Sequence, residues 1–87
     1  MEMHQVRYFL AVCEALNFTR AAEACHVAQP SLTAAIKKLE RELGGELFRR
    51  ERSRTHLTDL GRLMKPHLEQ IYAASEAAKA DAYGFTA

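Results

Sequence analysis

The sequence is short of most features that would give it a covalent, metallic or catalytic identity. Only two cysteines are present, Cys13 and Cys25, both inside apolar patterns. That is too few for a disulfide framework, and a reducing, cytoplasmic compartment fits. Cys25-His26 has no second Cys/His pair at zinc-finger spacing, and His4, His56 and His67 are isolated, so no metal site is expected. No glycine-rich phosphate loop, paired carboxylates or nucleophilic triad can be assembled, so the chain is not expected to be an enzyme. No apolar run approaches the roughly 18 residues of a membrane span, so no membrane partner is expected. The start, Met1-Glu2-Met3-His4, lacks the basic-then-apolar layout of a signal peptide. There is no internal repeat and no low-complexity linker. A formal charge of +1 also lacks the basic excess usual for nucleic-acid partners.

The 87 residues make one domain at most. Their 48% hydrophobic content is enough for a small helical core, one modest enough that partner contacts often add stability. The charge is small but unevenly spread. Arg49, Arg50, Arg52 and Arg54 crowd together, diluted by Glu51 and Ser53, with Lys37, Lys38 and Arg41 just upstream. A local positive face can therefore exist on a nearly neutral chain.

Val6, Phe9, Leu10, Cys13 and Leu16 recur at helical spacing and predict a first helix over about His4 to Leu16. Asn17 breaks the pattern. Thr19 reads as the N-cap of a short second helix, about Arg20 to Cys25, with Phe18 just ahead of it to pack back on the core. Gln29-Pro30 opens a third helix, since proline suits a first turn. Leu32, Ile36, Leu39 and Leu43 form its buried face, and Gly44-Gly45 ends it. Leu47 to Arg50 and Thr55 to Thr58 read as strands of a β-hairpin with a basic turn. Thr58 then caps a long helix, about Asp59 to Ala80. Pro66 should bend that helix or leave a local defect, at a cost of about 3 kcal/mol unless neighbours compensate. Asp81 to Ala87 is expected to be frayed.

The pair of helices around Val27 carries the functional signal. Ala21, Cys25, Val27, Leu32 and Ala35 fill the apolar positions of a helix-turn-helix, and His26-Val27-Ala28 matches its short turn. His26 stands where a left-handed backbone is common, a conformation histidine tolerates. In such a motif the second helix offers its N-terminal residues to base edges. Gln29 can pair bidentately with adenine, and Ser31 and Thr33 can bond several bases or touch a thymine methyl. Lys37 and Lys38 would reach phosphates. The hairpin arginines could enter an adjacent narrow minor groove. Glu40 reads as a structural partner for a nearby arginine or backbone group.

The stretch from Asn17 to Gly44, with Leu47-Phe48-x-Arg50 and Leu57-Thr58-x-x-Gly61 beyond it, resembles the N-terminal domain of LysR-type transcriptional regulators. The resemblance covers about Met3 to Ile71. It implies a mainly α fold: a winged helix-turn-helix of three helices and a two-stranded hairpin wing, then a long linker helix that pairs antiparallel with its twin in a homodimer. Residues 1–58 would form the DNA-binding domain, with the helix-turn-helix at about 18–37 and the wing at about 46–58. Residues 59–87 would form the linker helix with its frayed end. The resemblance also implies a C-terminal effector-binding domain outside this chain. A small-molecule effector would bind there, no cofactor is expected in the residues present, and a higher oligomer would form in the full-length protein.

On this reading the base contacts fall to Gln29, Pro30, Ser31, Thr33 and Ala34. The DNA backbone falls to Thr19, Arg20, Lys37, Lys38 and Arg50, and the minor groove to Arg52, Ser53 or Arg54. Leu60, Leu63, Met64, Leu68, Ile71 and Ser75 form the dimer seam, and two reading helices facing two half-sites imply a near-palindromic operator. Three positions depart from the family's usual residues. Ala28 replaces a serine, removing a cap or phosphate contact of about 1 kcal/mol. Ala34 replaces a long polar or basic reader, and Ser53 stands where arginine is frequent. Pro66 is familiar at its place.

Plainer readings stay open beside these. Gln29 can be an ordinary first-turn residue, Ser31 and Thr33 solvated polar groups, and Lys37 and Lys38 a solvated face. The arginine cluster can serve solubility or surface ion pairs, and the long helix can simply complete the core. The whole chain can also be read as a protein-interaction module acting through its Asp59–Ala80 helix. More remotely, it can be read as a thiol or metal sensor built on the cysteines.

Overall fold

The structure, a computed structural model, describes residues 1–87. Helix α1 spans Met3–Ala15. Its start is closed by the Glu2 N–H donating to Gln5 Oε1 at 2.9 Å, which satisfies one of the donors a helix end leaves orphaned. Val6 and Phe9 of the predicted stripe are fully buried, as is Val12, which that stripe did not include; Leu10 and Cys13 are half-buried and Leu16 is exposed. The helix ends on Leu16, whose φ of 50° is left-handed.

Helix α2, Phe18–Ala24, begins two residues earlier than the Thr19 cap predicted. Its N-cap is Asn17, whose Oδ1 accepts from the Arg20 N–H at 2.8 Å. Asparagine caps at least as well as threonine. The earlier start also brings Phe18 into the first turn, where its ring meets Phe48 edge-on at a centroid distance of 5.8 Å. The turn to α3 follows the expected path, with His26 at φ 58°.

Helix α3, Gln29–Leu43, carries Pro30 in its first turn and ends on Gly44 at φ 87°. Its N-cap, Ala28, makes no side-chain capping bond. Leu32, Ala35, Ile36 and Leu39 are buried against α1 and α2, with Ala21, Ala22 and Cys25 across from them.

Strands β1, Phe48–Glu51, and β2, Arg54–Leu57, pair antiparallel with Phe48 opposite Leu57 and Glu51 opposite Arg54. Both lie one residue nearer the turn than the sequence reading placed them. Each outer residue does another job: Leu47 is a fully buried core residue, and Thr58 is the N-cap of the last helix.

Helix α4 spans Asp59–Thr86. The expected fraying from Asp81 onward is not found: helix continues to Thr86, whose hydroxyl donates to the Ala82 carbonyl at 3.0 Å. The alanine-rich run over residues 73–82 has high helix propensity, and the helix continues through Gly84. Pro66 lies inside α4 and is exposed, and the helix is not broken there. It removes the N–H that would meet the Arg62 carbonyl. Twenty-eight residues of helix are about 42 Å long, which accounts for most of the molecule's 49 Å long axis. No helix is long and apolar enough to cross a membrane.

The predicted stripe on α4 is two faces. Leu60, Met64, Leu68 and Tyr72, spaced by four, pack on the chain's own core, and Leu68 is 1% exposed. Leu63 and Ile71, one position off that row, are 60% and 40% exposed. Leu68 is thus corrected from seam to core. Leu60 and Met64 are partly covered by the core as well, and Ser75 is half-buried.

Candidate nucleic-acid interface

A trough of about 760 Å³ runs between α3 and the wing. Its α3 wall is Gln29, Pro30, Thr33, Ala34, Lys37 and Glu40; its wing wall is Arg49 and Arg50, with Glu46 at the root; Phe18, Ile36 and Phe48 line it as well. The trough therefore gathers four of the five expected base readers and two of the expected backbone contacts. Ser31 and Lys38 are exposed outside its lining, on the neighbouring edge of α3, and Thr19 and Arg20 are exposed on α2.

The reading edge of α3 is partly ordered by its own hydrogen bond. Gln29 Nε2 donates to Thr33 Oγ1 at 2.9 Å, one turn along the same face. Lys37, a turn further on, lies 3.6 Å from Glu40 Oε1. Glu40 is the acid expected to be structural, and it is buried. Its Oε2 accepts from the Leu47 N–H at 2.7 Å. A charged acceptor makes this a strong bond, and it ties the end of α3 to the root of the wing.

The same root is held from the other side. The Thr58 N–H donates to the Leu47 carbonyl at 3.0 Å. The Thr58 hydroxyl donates to the Glu46 carbonyl at 2.6 Å and accepts from the Gly61 N–H at 3.0 Å. Gly61 is required here by contact, since a Cβ would collide with the Leu47 carbonyl oxygen and with Leu57 Cδ2. Wing root and α4 start thus share one joint.

Alternation along the strands puts Phe48 and Arg50 on one face of the wing and Arg49 and Glu51 on the other. Phe48 packs on Phe9 of the core at 5.3 Å between ring centroids. Arg50 stacks its guanidinium 4.1 Å from the centre of the Phe18 ring. Stacking on the face leaves the in-plane N–H donors free for an anion. Sequence reasoning placed Phe18 only in the core and missed this support. The i, i+2 pairing of Phe48 with Arg50 was the available signal. On the other face, His56 Nε2 lies 3.8 Å from Glu51 Oε1.

At the wing tip Arg52 and Ser53 have φ values of 49° and 67°. Two successive left-handed residues make the tight two-residue turn whose twist suits a hairpin. Neither is glycine, so the tip is strained. Arg54 sits in β2 opposite Glu51, leaving Arg52 as the arginine at the apex.

The two cysteines have the places their apolar surroundings predicted. Cys25 is buried in the core, and Cys13 is half-buried against it. Burial pushes the Cys13 thiol up to about 12. At neutral pH it keeps its proton and is a poor nucleophile.

Residues 3–62 match the family described as "Bacterial regulatory helix-turn-helix protein, lysR family". The chain is 44% identical over 77 residues to the HTH-type transcriptional regulator IlvR of Caulobacter vibrioides, a stretch that is 88% of this chain and 26% of IlvR. The chain therefore spans about a quarter of that relative's length. Among solved structures, the CbnR_DBD–DNA complex superposes with a TM-score of 0.88 at 31% identity, covering 100% of both chains. The BenM_DBD complex with catB site 1 DNA gives 0.91 at 30% identity, over 100% of this chain and 98% of that one. With its three helices, hairpin wing and long fourth helix, the chain belongs to the lysR family of bacterial regulatory helix-turn-helix proteins.

Proposed function

We propose that the chain binds double-stranded DNA in a sequence-specific way, as the DNA-binding part of a transcription regulator. The carrying observation is the trough, where the reading edge of α3 and the stacked Arg50 of the wing face one concave surface. α3 enters the major groove with Gln29, Pro30, Thr33 and Ala34 toward the bases, and Ser31 on the neighbouring edge. Lys37 and Arg50 take phosphates on either side of the trough, with Thr19, Arg20 and Lys38 on flanking backbone. Arg52 and Ser53, at the wing apex, reach the adjacent minor groove, which attracts cations where it is narrow. Two relatives in fold, CbnR_DBD and BenM_DBD, were solved with DNA, and IlvR is named a transcriptional regulator; both support this reading.

Two copies pair through the outward row of α4, where Leu63 and Ile71 are exposed. Their α3 helices then address two half-sites, about 34 Å or a multiple of that apart, in a near-palindromic operator. A small-molecule effector acts through a part of the longer regulator outside these residues.

Binding measured by fluorescence anisotropy against salt tests the reading. Affinity falls steeply with salt, because phosphate neutralisation releases counterions. Arg50→Ala lowers the slope by about one charge and weakens all sequences alike. Gln29→Ala costs about 1–3 kcal/mol at a single base pair. No binding to A·T-rich palindromic duplexes at low salt sinks the proposal in favour of a protein-interaction role for α4.

A further inference from the structure

Arg49, Arg50, Arg52 and Arg54 crowd the wing, and one of them is set over an aromatic ring. The Arg50 guanidinium carbon lies 4.1 Å from the centre of the Phe18 ring. A cation so close cannot lie in the plane of the ring without striking its hydrogens, so it sits over the face. There it meets the negative side of the ring quadrupole.

The ring is itself held in place. Phe18 is the first residue of α2, behind the Asn17 cap. It meets Phe48 edge-on at 5.8 Å between centroids, and Phe48 meets the fully buried Phe9 at 5.3 Å. Three rings thus run from the core to a surface cation, in the edge-on and tilted arrangements that aromatic pairs favour. Arg50 is tethered at its backbone too, two residues beyond the buried Phe48 on the same face of β1.

Nothing within the chain uses the charge of Arg50. The arginine ion pair and the arginine side-chain hydrogen bonds belong to Arg62. Arg50 is exposed, and it lines the trough together with Phe18. A long side chain loses much rotamer freedom when it is fixed on a partner. One already parked on a ring loses less, and its N–H fork stays available to two oxygens of a phosphate. Lys37 is placed differently: its Nζ lies 3.6 Å from Glu40 Oε1, an acceptor with which a phosphate must compete.

We infer, resting on the proposed DNA reading, that Phe18 is a positioning residue for Arg50: its ring holds the wing's guanidinium in the trough, ready for a phosphate of the DNA backbone. The gain is affinity for any sequence, because a phosphate carries no base identity.

The test needs no known operator. Fluorescence anisotropy with the 87-residue chain measures affinity for two unrelated duplexes of equal length. The proteins are wild type, Phe18→Leu, Phe18→Tyr, Arg50→Ala and the Phe18→Leu/Arg50→Ala double variant. Thermal melts show that each is folded at the working temperature, and Phe18→Met stands in if leucine is not accommodated. Phe18→Leu weakens both duplexes about two- to fivefold, the range of an exposed cation–π contact. Phe18→Tyr, which keeps a ring face, stays within about twofold of wild type. In the Arg50→Ala background, Phe18→Leu still lowers the melting temperature but no longer changes affinity. NMR of the wild type gives a second readout without any substitution. The ring current shifts the Arg50 side-chain protons upfield, and they stay shifted when duplex is added.

An equal affinity loss from Phe18→Leu with and without Arg50 overturns the inference, because Phe18 then only carries the wing. So does a tyrosine variant that loses as much as leucine, or a return of the Arg50 protons to ordinary exposed positions on binding. If Arg50→Ala binds both duplexes as tightly as wild type, Arg50 holds no phosphate and this inference falls alone. If wild type binds neither duplex at low salt, the parent reading falls with it.

Discussion

In the helix-turn-helix, the residues that join α2 to α3 are mostly inside: Ala21, Ala22, Cys25, Leu32 and Ala35 are buried, and Val27 is partly so. In the wing, two four-residue strands contribute one buried side chain, Phe48. Both regions face the same trough, yet they are held there by different means. Burial of apolar surface, at roughly 25 cal/mol per Å², makes the α2–α3 unit rigid without any single bond deciding it. The wing rests instead on a few identifiable contacts: Glu40 and Thr58 on Leu47, the close approach at Gly61, and Arg50 on Phe18. Its position should therefore be sensitive to single substitutions, while the helix pair should yield only to core changes.

The largest expected effect is at the wing joint. Gly61→Ala forces a Cβ into the Leu47 carbonyl and should cost about 3 kcal/mol, the upper range for overpacking. Urea unfolding measures it, and a loss below about 0.5 kcal/mol would show that the joint is soft. Next is Glu40→Ala, which leaves the buried Leu47 N–H without its acceptor. A loss of about 2 kcal/mol is expected; Glu40→Gln, which keeps an acceptor oxygen, should lose less.

At the apex the two regions separate most cleanly. Replacing Arg52-Ser53 by Asn-Gly supplies residues suited to two left-handed positions and removes one cation. Stability should rise by about 1 kcal/mol while DNA affinity falls. If both rise together, the apex arginine has no role in binding. The smallest effect belongs to the helix-turn-helix turn. His26→Gly relieves a φ of 58° but gives the unfolded chain more freedom, so a net gain of about 0.5 kcal/mol is expected. Thermal melting in the two variants then ranks strain at the turn against strain at the apex.

Much of this was readable from the residues. The spacing of Leu32, Ile36, Leu39 and Leu43 predicts α3, and Gly44 predicts its end; both follow from local backbone preferences. The basic hairpin, the left-handed His26 and the Thr58 cap follow for the same reason. The errors arose where two local rules competed. Asn17 and Thr19 are both good caps, and only the place available to Phe18 beside Phe48 separates them. On α4, periodicity marks apolar positions without saying what covers each, so Leu63 and Leu68 fell in one stripe although one faces solvent and the other the core.

The amino-acid sequence by itself determined the elements, the family and the chemical character of the faces, because those depend on patterns within one turn or a few residues. Tertiary structure alone decided how the wing is carried. The stack of Arg50 on Phe18 and the bond from Leu47 to Glu40 join residues distant in the chain or divided by a glycine turn. No periodicity records such partners; they are set by how α2, α3 and the hairpin pack around Phe9 and Phe48.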